Sequence, residues 1–168
     1  MLTIDAVDQD VFTALRTFLV SVLPTEIEVV QAQDNGVPLP LGNFVTMNNV
    51  GKKRTATNIN TYVDTGSNPS NKLTETHIQF DIQLDFYGDM AGDFSAIAMA
   101  MFRDAYATDM FPINIQPLYA DDPMQIPLID GEAQYIQRWK SQAMIQYNPI
   151  ITSQQDLAKS LTITPKVI

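Results

Sequence analysis

Cysteine is absent from the 168 residues, and histidine occurs once, at His77. Without thiols there is no disulfide, thiol nucleophile, zinc finger or cysteine-ligated cluster. One imidazole cannot build a two-histidine metal helix within the chain. A Ser-His-Asp triad would have to use His77, and no G-x-S-x-G nucleophile turn accompanies it. The phosphate-cradling patterns G-x-G-x-x-G and G-x-x-x-x-G-K followed by Ser or Thr are also missing, so nucleotide binding has no motif behind it. Basic residues are scarce, ten against nineteen acidic, for a formal net charge of −9. A DNA-binding surface gains affinity from Lys and Arg set against phosphate, so this balance argues against one. No apolar run approaches the ~20 residues that cross a bilayer. The nearest candidate, "VFTALRTFLVSVL" (11–23), is interrupted by Arg16. The N-terminus also lacks the basic and apolar regions of a secretory signal. These absences predict a soluble protein made in the cytoplasm, with no cofactor and no membrane partner.

What is present is ordinary globular material, 45% hydrophobic, in a chain long enough for one domain (1–168) with a real core. Residues 8–23 open with a capping Asp8 or Asp10. Val11, Leu15, Phe18, Leu19 and Val22 then recur at helical spacing, and the helix stops before Pro24. Strand-like segments follow at 26–33 and 43–54, separated by turn material, "DNGVPLP" (34–40). Residues 55–76 are rich in Thr, Asn and Ser. They read as a projecting arm or long hairpin centred on "DTGSNPSN", of the kind that gains order against a neighbour.

The clearest pattern is "THIQFDIQLDFYGD" (76–89). Ile78, Phe80, Ile82, Leu84 and Phe86 form one row of a strand, and His77, Gln79, Asp81, Gln83 and Asp85 the other. A second helix capped by Asp89 carries Phe94, Ile97, Ala98, Met101, Phe102 and Ala105 on one face and ends at "FP" (111–112). Its neighbouring methionines, Met90, Met99, Met101 and Met110, read first as adaptable core packing. Residues 113–132 are extended and proline-interrupted, too irregular for a central strand. Residues 133–147 alternate again, long enough to need a bulge or bend near Ser141, and "SLTITP" (160–165) closes the chain as a strand. The predicted fold class is an α+β sandwich: a mostly antiparallel sheet with two helices on one face and a long projecting loop or hairpin.

Acidic residues offer the remaining chemistry. Asp81 and Asp85 lie four residues apart on one strand, ~13 Å between Cα atoms. Glycosidase carboxylates stand ~5–9.5 Å apart, so the two form no such dyad. Asp121, Asp122, Asp130 and Glu132 cluster without calcium-loop spacing, and prolines 123 and 127 stiffen the segment. A metal-dependent hydrolase using Asp81, Asp85, Asp121 and Asp122 is the enzyme alternative. The better use of the polar rows, rich in Gln, is a surface against another subunit or water. The basic run Lys52, Lys53, Arg54 reads by itself as a solvated turn. A monomeric module that captures a peptide with its arm is a further alternative.

Several blocks carry a resemblance: "VPLPLGNFVTM" (37–47), "QFDIQLDFYGDMAGDFSAIAMAMFRDAYATDMF" (79–111), "PLYADDPMQIPLIDGEAQYIQRWKSQAMIQYNP" (117–149) and the closing "SLTITP". In their order and spacing they resemble the neck or tail-terminator proteins of long-tailed bacteriophages. The resemblance implies an α/β sandwich that forms a homo-oligomeric ring, usually a hexamer, at the head-proximal end of the tail tube. Such a ring belongs to the virion and stops tube growth without catalysis. Its partners would be the tail tube protein, the head-completion protein and a sheath, and DNA would pass through its lumen without specific binding. A head-completion (stopper) or tail-tube protein is the nearest alternative. On this reading Lys52, Lys53, Arg54, Asp81, Asp85, Asp121, Asp122 and Arg138 are expected to face subunits or partners. "KKR", at the base of the arm, is expected to pair with acidic residues of the next subunit.

Overall fold

A computed structural model describes residues 2–32, 40–66, 69–126, 128–129 and 135–156. In chain order the elements are β1 (Thr3–Ile4), α1 (Asp8–Val22), β2 (Glu28–Gln31), β3 (Phe44–Arg54), β4 (Ile59–Val63), β5 (Ser70–Glu75) and β6 (Ile78–Tyr87). There follow α2 (Ala91–Phe102), α3 (Ala105–Met110), β7 (Ile115–Ala120), β8 (Met124–Gln125), β9 (Leu128–Ile129), β10 (Tyr135–Ile136), β11 (Arg138–Tyr147) and β12 (Ile150–Gln155). The expected strand at 160–165 and most of the 34–40 turn lie outside the described residues.

The periodicities act as expected. Val11, Phe12, Leu15, Phe18 and Leu19 of α1 are buried, and the helix ends before Pro24, whose ring cannot continue it. Its N-cap is Val7 rather than an aspartate; the Asp10 carboxylate reaches back to accept the Val7 N–H (2.7 Å), meeting one of the helix's free donors. Phe80, Ile82, Leu84 and Phe86 of β6 are buried with Ala143 and Ile145 of β11 and Val45 and Met47 of β3. All three helices contribute to this one apolar layer. The second helix is broken where one was expected. Asp104 leaves the helical path and accepts the Tyr106 N–H (2.9 Å), capping α3 as a new helix.

The main sheet has the order β2-β3-β6-β11-β7, with β8 also paired to β11. Only β2 and β3 run parallel among these pairs. This is the α+β fold anticipated. Residues 115–120 form an edge strand, which explains how Pro117 is tolerated. β11 keeps unbroken register with β6, so there is no bulge between them at Ser141. The irregularity falls against β7, between Met144 and Ile145, and the long segment breaks instead at Gln137, whose carbonyl accepts the Gly88 N–H (3.2 Å). Gly88 has φ +104°, and a Cβ there would meet Asn43 Oδ1 at 2.1 Å, so only glycine fits this turn.

The basic run at 52–54 is not a turn but the end of β3. Beyond it the chain continues as β4, and β4 and β5 form the hairpin expected of the arm. The arm finds strand partners in its own chain, since β5 also pairs with β12 and β12 with β1. The order β4-β5-β12 repeats β3-β6-β11, so the arm prolongs the three central strands past a kink at Thr76–His77 and Asn148–Pro149. His77 sits in that kink, with Nδ1 3.1 Å from Asn148 Oδ1.

Candidate assembly surfaces

The face of the main sheet opposite the helices is largely polar in register, with Phe44, Tyr87, Met144 and Tyr119 among its members. Across neighbouring strands run the rows Lys53–Gln79–Gln146–Gln116, Asn48–Gln83–Gln142 and Thr46–Asp85–Lys140. Side-chain period two puts these residues on one face. Gln79, Asp81, Gln83, Lys140, Gln142 and Gln146 are half-buried rather than fully solvated. They shelter one another: Gln79 Nε2 donates to Asp81 (2.7 Å), and Gln146 Nε2 to Asn148 (3.1 Å).

Asp85 departs from the expectation of a partner-facing carboxylate. It is 1% exposed, and Arg138 donates to its Oδ1 through Nε (3.1 Å) and Nη2 (2.9 Å). Gln83 and Asn48 donate to Oδ2 at 2.7 and 3.3 Å. Arg138 also lies over the Tyr87 ring, which stacks on Phe44. These two site residues therefore satisfy each other inside the chain, because β6 and β11 set them side by side. Asp81 remains half-buried on the same face.

Lys52 points the other way, over the core. Its ammonium pairs with Asp8 at the start of α1 and stands 5.0 Å from the Phe80 ring centre and 5.9 Å from that of Tyr147. The Tyr147 hydroxyl donates to the same Asp8 oxygen (3.2 Å). Burial alone would lower the Lys52 pKa. The Asp8 hydrogen bond and the Tyr147 and Asp8 charges outweigh it, holding the ammonium above its ordinary 10.5. Burial, ahead of smaller charge effects, raises the Tyr147 phenol above 10.0. Both folded-state values lie above the unfolded ones, so the cluster's contribution is whole below about pH 10 and is lost as pH climbs through the raised values. Urea midpoints at about pH 9 and about pH 11 check this: wild type is expected to lose more between them than Lys52→Met. Equal losses would mean that the Lys52 ammonium contributes nothing.

Lys53 and Arg54 are exposed at the rim of β3. On the opposite rim Asp122 pairs with Arg103 (2.6 Å), whose guanidinium also donates to the Ala120 carbonyl (2.8 Å) and ties α2 to β7. Asp121 borders a shallow recess with Met124, Lys140 and Gln142. Asp81 and Asp85 thus lie on the sheet face and Asp121 and Asp122 at its rim. Among the described residues no three acidic or histidine side chains converge to hold a metal ion. Sequence reasoning missed the exposed Leu118, Tyr119 and Met124 beside Asp121. Their signal was present: large apolar residues in a proline-interrupted edge segment.

A family model described as phage neck terminator protein matches residues 9–167. The chain belongs to the phage neck terminator family. It is a structural protein of the phage virion's neck and tail. Its fold is similar to the sheath/tube terminator of an extracellular contractile injection system, PVC, solved by cryo-EM in the extended state. The TM-score is 0.55 at 10% identity, covering 97% of this terminator and 63% of that chain. No curated protein sequence matches the terminator. No helix among its described residues is long and apolar enough to cross a membrane.

Proposed function

We propose that this terminator acts without catalysis, as a ring of six copies seated on the head-proximal end of the tail tube. One surface of the ring meets the tube and sheath, and the other the head-completion protein. The observation that carries this reading is the sheet's second face. The three helices cover one side, while among the described residues no helix covers the other, whose strands present many amides, as suits a wall around a lumen. Its charges nearly balance: Lys53, Arg138 and Lys140 against Asp81 and Asp85. Six chains of −9 carry −54 in all, and the described charges of this face contribute none of that excess. A lumen lined mainly by amides would neither hold nor strongly repel the phosphate backbone of passing DNA.

Light scattering coupled to size exclusion, followed by negative-stain imaging with and without tail tubes, tests the proposal. The expected result is a particle near six times 18.7 kDa, or a cap confined to one tube end. Long polymers would mark a tube subunit instead. A chain that stays monomeric and ignores tubes would overturn the ring.

A further inference from the structure

The two rims of the main sheet differ in kind. β2 pairs with β3 only as far as Met47, and among the described residues no strand covers the outer edge of β3 from Asn48 to Arg54. Lys53 and Arg54 stand exposed there beside Val50. On the other side, among the described residues, β7 and β8 pair only with β11, and Tyr119, Met124, Asp121 and Asp122 line that rim. One rim is basic and apolar, the other acidic and apolar. Surfaces that complement each other but not themselves make head-to-tail contacts, which generate rings when the rotation closes.

Strand direction permits that contact. β3 is antiparallel to β6, β6 to β11 and β11 to β7, so β3 and β7 point opposite ways. Rotation about an axis running along the sheet places β7 of one copy beside β3 of the next without interrupting the antiparallel alternation.

Register also agrees. Lys53 is level with Gln79, whereas Asp121, whose N–H donates to the Gln142 carbonyl, is level with Gln83. Four residues of β6 separate those levels, about 13 Å. Four strands at ~4.8 Å spacing make a sheet about 19 Å wide. Closing such sheets at a tilt of ~35° displaces each copy about 13 Å along its neighbour's strands.

The direction of displacement follows from handedness. β6 returns to the parallel β7 through α2 and α3, and crossovers of this kind are right-handed in about 98% of cases. Given the right-handed coil that strand twist imparts to a closed sheet, the next copy moves toward the C-terminal end of β6 only when the helices face outward. Its Lys53 then comes level with Asp121. The same movement carries its β2, level with Leu84 to Tyr87, clear of β8, level with Asp85 and Phe86. Undisplaced, those two segments would compete for one place.

Within the ring proposed for this terminator, on which this inference rests, we propose that the Asn48–Arg54 rim of each copy docks on the β7–β8 rim of the next. Lys53 and Arg54 face Asp121 and Asp122, the helices point outward and the amide face lines the lumen.

Two charge-swapped chains test it: Lys53→Glu with Arg54→Glu, and Asp121→Lys with Asp122→Lys. Each alone sets like charges across every contact and is expected to weaken association at least tenfold. Mixed in equal amounts they restore opposite charges at both kinds of contact, so rings of alternating copies should return. A single-site set, Lys53→Glu and Asp121→Lys, leaves the Asp122–Arg103 pair intact should the double changes disturb folding, and melting curves compare all four with wild type. Wild-type rings with variants that also close alone, or with folded variants that fail when mixed, would overturn the docking and leave the ring standing. A wild-type chain that forms no ring alone or on tubes would overturn both.

Discussion

Phe18→Ala is expected to destabilise the chain by about 4 kcal/mol, in the range for truncating a fully buried phenylalanine. The Phe18 ring is wholly buried and packs edge-on against Phe102 at 5.6 Å, with Phe111 at 5.8 Å and Tyr106 at 6.4 Å. It therefore joins α1 to both α2 and α3. Truncation loses the apolar burial and leaves a cavity that four converging segments cannot easily close. Aromatic pairs contribute a further ~0.5–1.5 kcal/mol each beyond area, which places this site toward the upper end of the range. For a chain of this size each kcal/mol corresponds to roughly 2–4 °C, so the melting temperature should fall by about 8–16 °C. Thr17→Ala, one residue away on the exposed side of α1, is the control and should change little. A loss below about 1 kcal/mol for Phe18→Ala would mean that the helices are not held together through this ring.

The sites that could be read from sequence share a local cause. The five apolar residues of β6 and the apolar stripe of α1 follow from side-chain direction alone, and all but the partly buried Ile78 and Val22, which pack against it, lie in the core. Proline marked the ends of α1 and of the last helix because its restrictions act within a few residues. The errors have a different origin. One helix was expected to run to "FP", but the Asp104 carboxylate competes for the backbone and starts a new helix. "KKR" looked like a turn because three charges are usually solvated. β3 can hold them as strand because Lys52 finds Asp8, distant in sequence, while Lys53 and Arg54 remain at an edge.

The arm shows the same limit. Its composition announced an extension but not its partner, since the match between β5 and β12 joins residues about eighty apart in the chain. The rims were still harder to read. Lys53 and Asp121 gain meaning only when strand order places them on opposite sides of one sheet, and no local pattern encodes that order.

The Asp85–Arg138 pair makes the cost of reading only one strand measurable. Alternation assigned Asp85 to a polar row, and that assignment is correct as geometry. The carboxylate is nonetheless buried, because β11 brings Arg138 across it and Gln83 and Asn48 occupy its other oxygen. Removing the guanidinium leaves a buried charge with only amide donors, so Arg138→Met should cost about 3 kcal/mol. Converting the carboxylate as well removes the charge that was stranded. Asp85→Asn with Arg138→Met should therefore recover to within about 1 kcal/mol of wild type, although it contains one more substitution. Urea unfolding of the two single variants and the double gives the coupling directly. Additive losses would show that Asp85 is hydrated in the folded chain, and the face it occupies would then be open to water rather than a sheltered amide layer. Strong recovery would assign the pair to holding β6 against β11, leaving contact with other copies to the charges on the rims.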